Sequence, residues 1–355
     1  MQDPQTISVA RVQLRCEDFQ ESLEFYTERL GFRLDRISPA DDPRTAQLSG
    51  HGLSIELRRG GNSNGVVLEL TCEESEPSTK ALTAPNGVEI LFVPANPDRP
   101  LPDLREELVV LHLSDQSDWI TGRAGMRYRD LIPGRLGGRF IASHIVINEG
   151  GPVPDSVHFH QLRFQLIFCA KGWVDVVYED QGEPIRLEAG DCFLQPPLIR
   201  HRVLECSPGL EVLELSSPAD HDTFLDHELK LPTKELRPER DFAGQKFVYH
   251  RASGANWGDW KQPGFECREL GIAAATVGLA SARVVRYASS QENANSCRHN
   301  GEFYFLYVLE GEFELTELRP NPIRLRVGDS VAIPSGCDFA LANCSTDLEL
   351  LEVQL

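Results

Sequence analysis

The sequence predicts a mainly β fold, with two homologous β-barrels preceded by a small α+β module ordered strand, helix, three strands. Three observations carry this. Short strand-like stretches and turn signals dominate from about residue 100 onward, landmarks in that region recur at a fixed offset, and an amphipathic helical segment stands near the start of the chain. On this reading residues 1–98 form the α+β module, residues 99–225 the first barrel and residues 226–355 the second.

A chain of 355 residues exceeds what one hydrophobic core usually serves. Hydrophobic residues make up 41% of it, but no apolar run of about 18 residues could span a bilayer, so no membrane partner is expected. The 54 acidic against 35 basic residues give a net charge of −19. That charge repels phosphate backbones and argues against a nucleic-acid partner. The first residues, Met1 to Thr6, lack the basic patch and apolar core of a secretory signal, which points to the cytoplasm. Nine scattered cysteines without a Cys-x-x-Cys pair read as small buried hydrophobes rather than a disulfide framework.

In the α+β module Val9 to Arg15 alternates as a strand. Asp18 is placed to cap a helix running to Leu30, whose apolar face is Phe19, Leu23, Phe25, Tyr26 and Leu30 and which Gly31 closes. Arg33–Ile37, Ala46–Leu48 and Leu53–Leu57 follow as a short antiparallel sheet. The run from Asp18 to Phe32 resembles the opening βαβββ module of the glyoxalase/bleomycin-resistance (vicinal oxygen chelate) family. That resemblance implies metal ligands on the first strand and a Glu on the last. Here the first-strand position falls at about Arg11, a cation that opposes metal binding, and only Glu56 remains. Ligand binding, dimer contacts or scaffolding are therefore expected of this module. One copy is visible, and its open sheet predicts a homodimer formed through it. Asn86–Pro94 reads as a closing strand and Pro94–Pro102 as a linker.

The barrels are read from a repeat. Gly190-Asp191 recurs as Gly328-Asp329, and Cys206 to Leu215 recurs as Cys344 to Val353, both at an offset of 138; Gly172 matches Gly311 at 139.

The first repeat is dense in ligand-type residues. His158 and His160, two apart on a strand, present both imidazoles to one face. Gln165 opens the next strand. A Pro196-Pro197 turn can then carry His201 back across the barrel. The ordered landmarks Gly151, His158, His160, Gln165 and Gly172, then Gly190, Pro196 and His201, resemble the two cupin motifs, with Gln165 where the usual form has Glu and Leu198 where it has an inner Gly. The resemblance implies jelly-roll barrels and one divalent metal ion per chain, held by His158, His160, Gln165 and His201. The corresponding positions of the second repeat are Cys297, His299, Tyr304 and Phe339, so that barrel is expected to be structural.

An amide in place of a carboxylate leaves a neutral ligand set, which favours an anionic or enolisable small-molecule substrate. Gln165 either binds the ion or orients a water beside it. Arg163 shares strand parity with Gln165 and either grips an anionic substrate or lies in a solvated turn. Phe168, Trp173, Tyr178 and Gln195 are candidate pocket walls. Imidazole and amide ligands suit Fe(II), Zn, Mn, Ni or Cu, and the resemblance favours Fe(II). The expected function is a cupin-type oxygenase. A non-redox isomerase, cyclase or lyase, and a non-catalytic small-molecule binder, remain open.

Overall fold

The computed structural model describes residues 10–39, 43–72, 81–94, 100–115, 119–122, 125–288 and 296–355. The chain divides into two compact units, Met1–Pro100 and Leu101–Leu355.

The first unit opens with β1 (Val12–Cys16), α1 (Phe19–Glu24), β2 (Arg33–Ser38), β3 (Thr45–Gly50) and β4 (Leu53–Arg59). The sheet order is β1-β4-β3-β2, with β1 parallel to β4. Asp18 caps α1, its side chain accepting from Glu21 N at 2.9 Å. The expected helix changes character after Glu24. Residues Phe25–Arg29 form a π-helical turn that buries both Phe25 and Tyr26 before Gly31 ends it at φ +72°. Glu56 on β4 is buried and bonded by Arg58 at 2.5 Å and Gln47 at 3.2 Å; the Arg58 bond holds its carboxyl below the ordinary value. It is thus already answered by a cation of its own chain.

One expectation for this unit is corrected. Glu89–Pro94 does not close the first sheet. It is β7 of a second sheet with β5 (Val67–Cys72) and β6 (Ala81–Thr83), ordered β5-β7-β6, with β5 parallel to β7. Val88 and Ile90 share one buried cluster with Leu14, Ile55 and Leu57, so a shortened second sheet faces the first within the chain. The premise of a lone open sheet, on which the homodimer was expected, is removed.

The second unit holds two barrels, each a pair of sheets. The larger sheet of the first barrel runs, in spatial order, Val248–His250, Cys192–Leu194, Phe164–Lys171, Leu210–Ser217, Ile141–Ile147, Arg127–Asp130 and Ile120–Thr121. That of the second runs Val109–Leu111, Ser330–Ala332, Tyr304–Glu310, Glu349–Gln354, Ser281–Tyr287, Phe265–Glu269 and Gly258–Asp259. The two match strand for strand, and the outermost strand of each comes from the other barrel's stretch of sequence. Between them a shared core includes Phe140 stacked on Phe303, centroids 4.3 Å apart.

The repeated landmarks have physical reasons. Gly172 and Gly311 adopt φ of +77° and +72°, and a Cβ there would lie 2.2 and 2.3 Å from Ser207 Oγ and Ser345 Oγ. Those hydroxyls accept from Trp173 N and Glu312 N, which ties the hairpin to the neighbouring turn. The Gly-Asp turns clamp the exchanged strands. Asp191 Oδ1 accepts from Ala252 N at 2.7 Å, and Asp329 Oδ1 from Leu113 N at 2.8 Å. Arg268 donates to Gly190 O at 3.1 Å, and the buried Arg129 to Gly328 O at 3.0 Å. None of the nine cysteines, all among the described residues, forms a disulfide.

Candidate metal centre

His158 and His160 stand on strand His158–Gln161, Gln165 on Phe164–Lys171, and His201 begins His201–Cys206, directly opposite His158 in the ladder. The period-two geometry of the first strand turns both of its imidazoles inward. One ligand-type nitrogen from each histidine lies within 4.8 Å of the others.

Each ring is held by its Nδ1. His158 Nδ1 is 2.8 Å from Ser156 O, His201 Nδ1 3.1 Å from Ile199 O, and His160 Nδ1 3.0 Å from Thr223 Oγ1. A carbonyl acceptor places the proton on Nδ1 of His158 and His201, and Thr223 Oγ1 can do the same for His160, so the lone pairs fall on Nε2. Three nitrogens spread evenly about one ion, each about 2.1 Å from it, lie at most ~3.6 Å from one another, so ligand atoms within 4.8 Å of one another close on a metal when each moves inward by less than about 1 Å. The donor set fits a divalent ion.

Gln165 is buried, and both ends of its amide are engaged. Its Nε2 donates to Glu214 Oε1 at 2.8 Å, and its Oε1 accepts from Gln195 Nε2 at 2.9 Å. Gln195 Nε2 also lies 3.3 Å from His201 Nε2, and the fully buried Tyr178 donates to Gln195 Oε1 at 2.6 Å. Burial pushes the Tyr178 hydroxyl well above its ordinary pKa, which keeps it a donor. Tyr178 and Gln195 line the cavity as expected, whereas Phe168 is buried in the inter-barrel core and Trp173 lies under Arg186 at 3.6 Å.

Arg163 is corrected. It occupies the turn between the two site strands, its guanidinium is paired with Glu302 of the second barrel, and its carbonyl accepts from Gln245. It precedes strand Phe164–Lys171, so parity along that strand does not govern its direction. Sequence reasoning also missed Glu214, Thr223 and His221, which line the same cavity of about 310 Å³. Glu214 sits inside the repeated Cys206–Leu215 segment, and its alternation with the apolar Leu213 and Leu215 was the available signal.

In the second barrel Cys297 pairs in register with Phe339, as His158 does with His201. Nε2 of His299 lies 2.9 and 3.0 Å from the carbonyls of Ile333 and Pro334, and burial holds its pKa below the ordinary value. The polar centre here is built from Lys261, whose Nζ donates to Tyr304 Oη at 2.7 Å and Glu352 Oε1 at 2.8 Å. Glu352 occupies the place of Glu214, and Trp260 Nε1 donates to its other oxygen at 2.8 Å. A side-chain ammonium thus supplies the positive charge in this barrel. Among the described residues the three histidines of the first barrel are the one such cluster found.

Comparison with known proteins places these features in a class. Residues 283–354 match the cupin domain family model, and residues 8–81 that of the glyoxalase/bleomycin resistance protein/dioxygenase superfamily. The chain carries a glyoxalase-type domain followed by cupin architecture. No curated protein matches it. Among solved structures it is similar to salicylate 1,2-dioxygenase from Pseudaminobacter salicylatoxidans at 15% identity and TM-score 0.55, covering 72% of this chain and 86% of that one. It is also similar to an oxalate decarboxylase of Bacillus subtilis at 12% and 0.51, covering 72% and 78%, and to protein Ylba from E. coli at 12% and 0.51, covering 72% and 93%. A variant of the dioxygenase was solved in complex with gentisate. No helix among the described residues is long and apolar enough to cross a membrane.

Proposed function

We propose that the chain is a metal-dependent oxygenase of a small anionic or enolisable organic molecule. His158, His160 and His201 ligate one divalent ion, Fe(II) in preference to Zn, Mn, Ni or Cu, and Gln165 orients what binds beside them. The observation that carries this reading is the convergence of three Nδ1-anchored imidazoles at the polar end of an otherwise apolar chamber. A divalent ion held there polarises substrate oxygens and, if it is iron, brings dioxygen chemistry within reach. Gln165 and Gln195, bonded to each other, line the same space beside apolar walls. The likeness to a dioxygenase supports the redox class.

A Lewis-acid isomerase, cyclase or lyase is the second reading, favoured by the Glu214 carboxylate beside Gln165. The test is the metal content of full-length protein purified without added metal, for the wild type and for the double variant His158→Ala/His160→Ala, followed by oxygen uptake with phenolic acids and diketones. About one equivalent of iron, lost in the variant, with oxygen consumed by the wild type, is the expected result. Zinc without uptake selects the second reading, and no metal removes both.

A further inference from the structure

The chamber under the three histidines is charged in a way that the residues around it make specific. Its volume of about 310 Å³ sits at the small end of ligand pockets. Met126, Ile145, Ile167, Val176, Phe193 and Val212 form apolar wall, and all except Ile167 are buried. The polar groups gather at the histidine end. Among the described residues no Lys or Arg lines the chamber, and the one acidic side chain that does is Glu214. Of the cations next to the site in sequence, Arg163 pairs with Glu302, Arg200 pairs with Asp226 at 3.3 Å and lies over the Phe159 ring, and Arg202 is exposed.

Building on the metal-site reading above, we propose that this chamber takes an uncharged, enolisable carbonyl compound with apolar substituents and turns away carboxylates of similar size. A neutral carbonyl compound enters without a desolvation penalty for charge, and any negative charge it acquires on enolisation appears at its oxygens, at the histidine end. A carboxylate arrives charged. The ion would be its one positive partner, already offset by Glu214, and away from the ion it must surrender its hydration in a chamber that offers no guanidinium or ammonium. The need for negative charge created by a neutral ligand set is met from within, because Glu214 stands directly behind Gln165.

The test uses full-length protein loaded with Co(II), its metal content measured, and titrated without oxygen while the visible cobalt spectrum is followed. Benzoylacetone is the neutral probe; phenylpyruvate and salicylate are the anionic ones. The expected result is a spectral change with benzoylacetone at a Kd at least about tenfold below that of either carboxylate. Val212→Arg, which adds a cation to the wall, is expected to reverse the order, and Glu214→Gln to strengthen carboxylate binding several-fold with cobalt retained. Carboxylates binding as tightly as benzoylacetone to the wild type, or no spectral response to benzoylacetone, overturns the inference while leaving the metal site standing. Failure to bind cobalt overturns the metal-site reading and this inference with it.

Discussion

Gln165 holds a place where the cupin motif has a carboxylate, and the carboxylate has moved one residue outward, to Glu214, 2.8 Å from the Gln165 amide. Gln165→Glu would set two carboxylates in contact, and like charges at that distance oppose each other. The variant is expected to lose about 1–3 kcal/mol of stability without metal and to recover part of it on metal addition, read as paired melting curves. Thr223→Val removes the hydroxyl partner of His160 Nδ1 and should weaken metal binding roughly tenfold, measured by competition with a chelator. In the second barrel, burial raises the carboxyl of Glu352, but Lys261 and Arg283 outweigh it and hold the group below its ordinary value near 4.5. A depressed carboxylate stabilises the fold above that ordinary value and loses its contribution as pH falls through the lowered one. Lys261→Met should therefore cost about 2 kcal/mol at neutral pH and progressively less in acid, seen in urea unfolding across pH. At this scale the three histidines were legible because strand periodicity alone brings two of them together. Glu214 and Lys261 were not, since each acts through a partner more than forty residues away.

Leu198 shows how an element absorbs a departure from its motif. It stands at the inner glycine position of the turn before His201 and adopts φ +65°, a left-handed conformation that glycine takes without Cβ strain, while its N–H bonds His160 O at 3.0 Å. Leu198→Gly should relieve that strain, with a net gain of about 0.5–1 kcal/mol after glycine's larger entropy loss, visible as a rise in Tm with the metal site intact. Gly172→Ala acts in the opposite sense: its Cβ would meet Ser207 Oγ at 2.2 Å at a positive φ, and a loss of about 1–3 kcal/mol is expected in denaturant unfolding. Turn glycines were readable because only that residue type suits the backbone there. The second sheet of the first unit was not, because β6 has only three residues and β5 pairs with β7 in parallel across a non-local connection. The helix was read correctly in place, but its π-helical end depends on burying adjacent Phe25 and Tyr26 together, which a 3.6-residue period does not foresee.

On the scale of the molecule, the repeat announced two barrels, and their strand orders agree. What no local pattern could reveal is the exchange of end strands: Val109–Leu111 pairs with Ser330–Ala332, and Val248–His250 with Cys192–Leu194. Asp191 and Asp329, visible as bare repeats, are the anchors of that exchange. A ribosome makes this chain from one end, and the exchange sets a timetable. The first barrel cannot complete its larger sheet until residue 250 has emerged, and the strand at 109–111 must wait, unpaired, through more than two hundred further residues. Throughout that interval an apolar strand edge is open to whatever lies nearby. The strand therefore falls under the same pressure as any aggregation-prone segment in a nascent chain, and its brevity, three residues, limits that exposure.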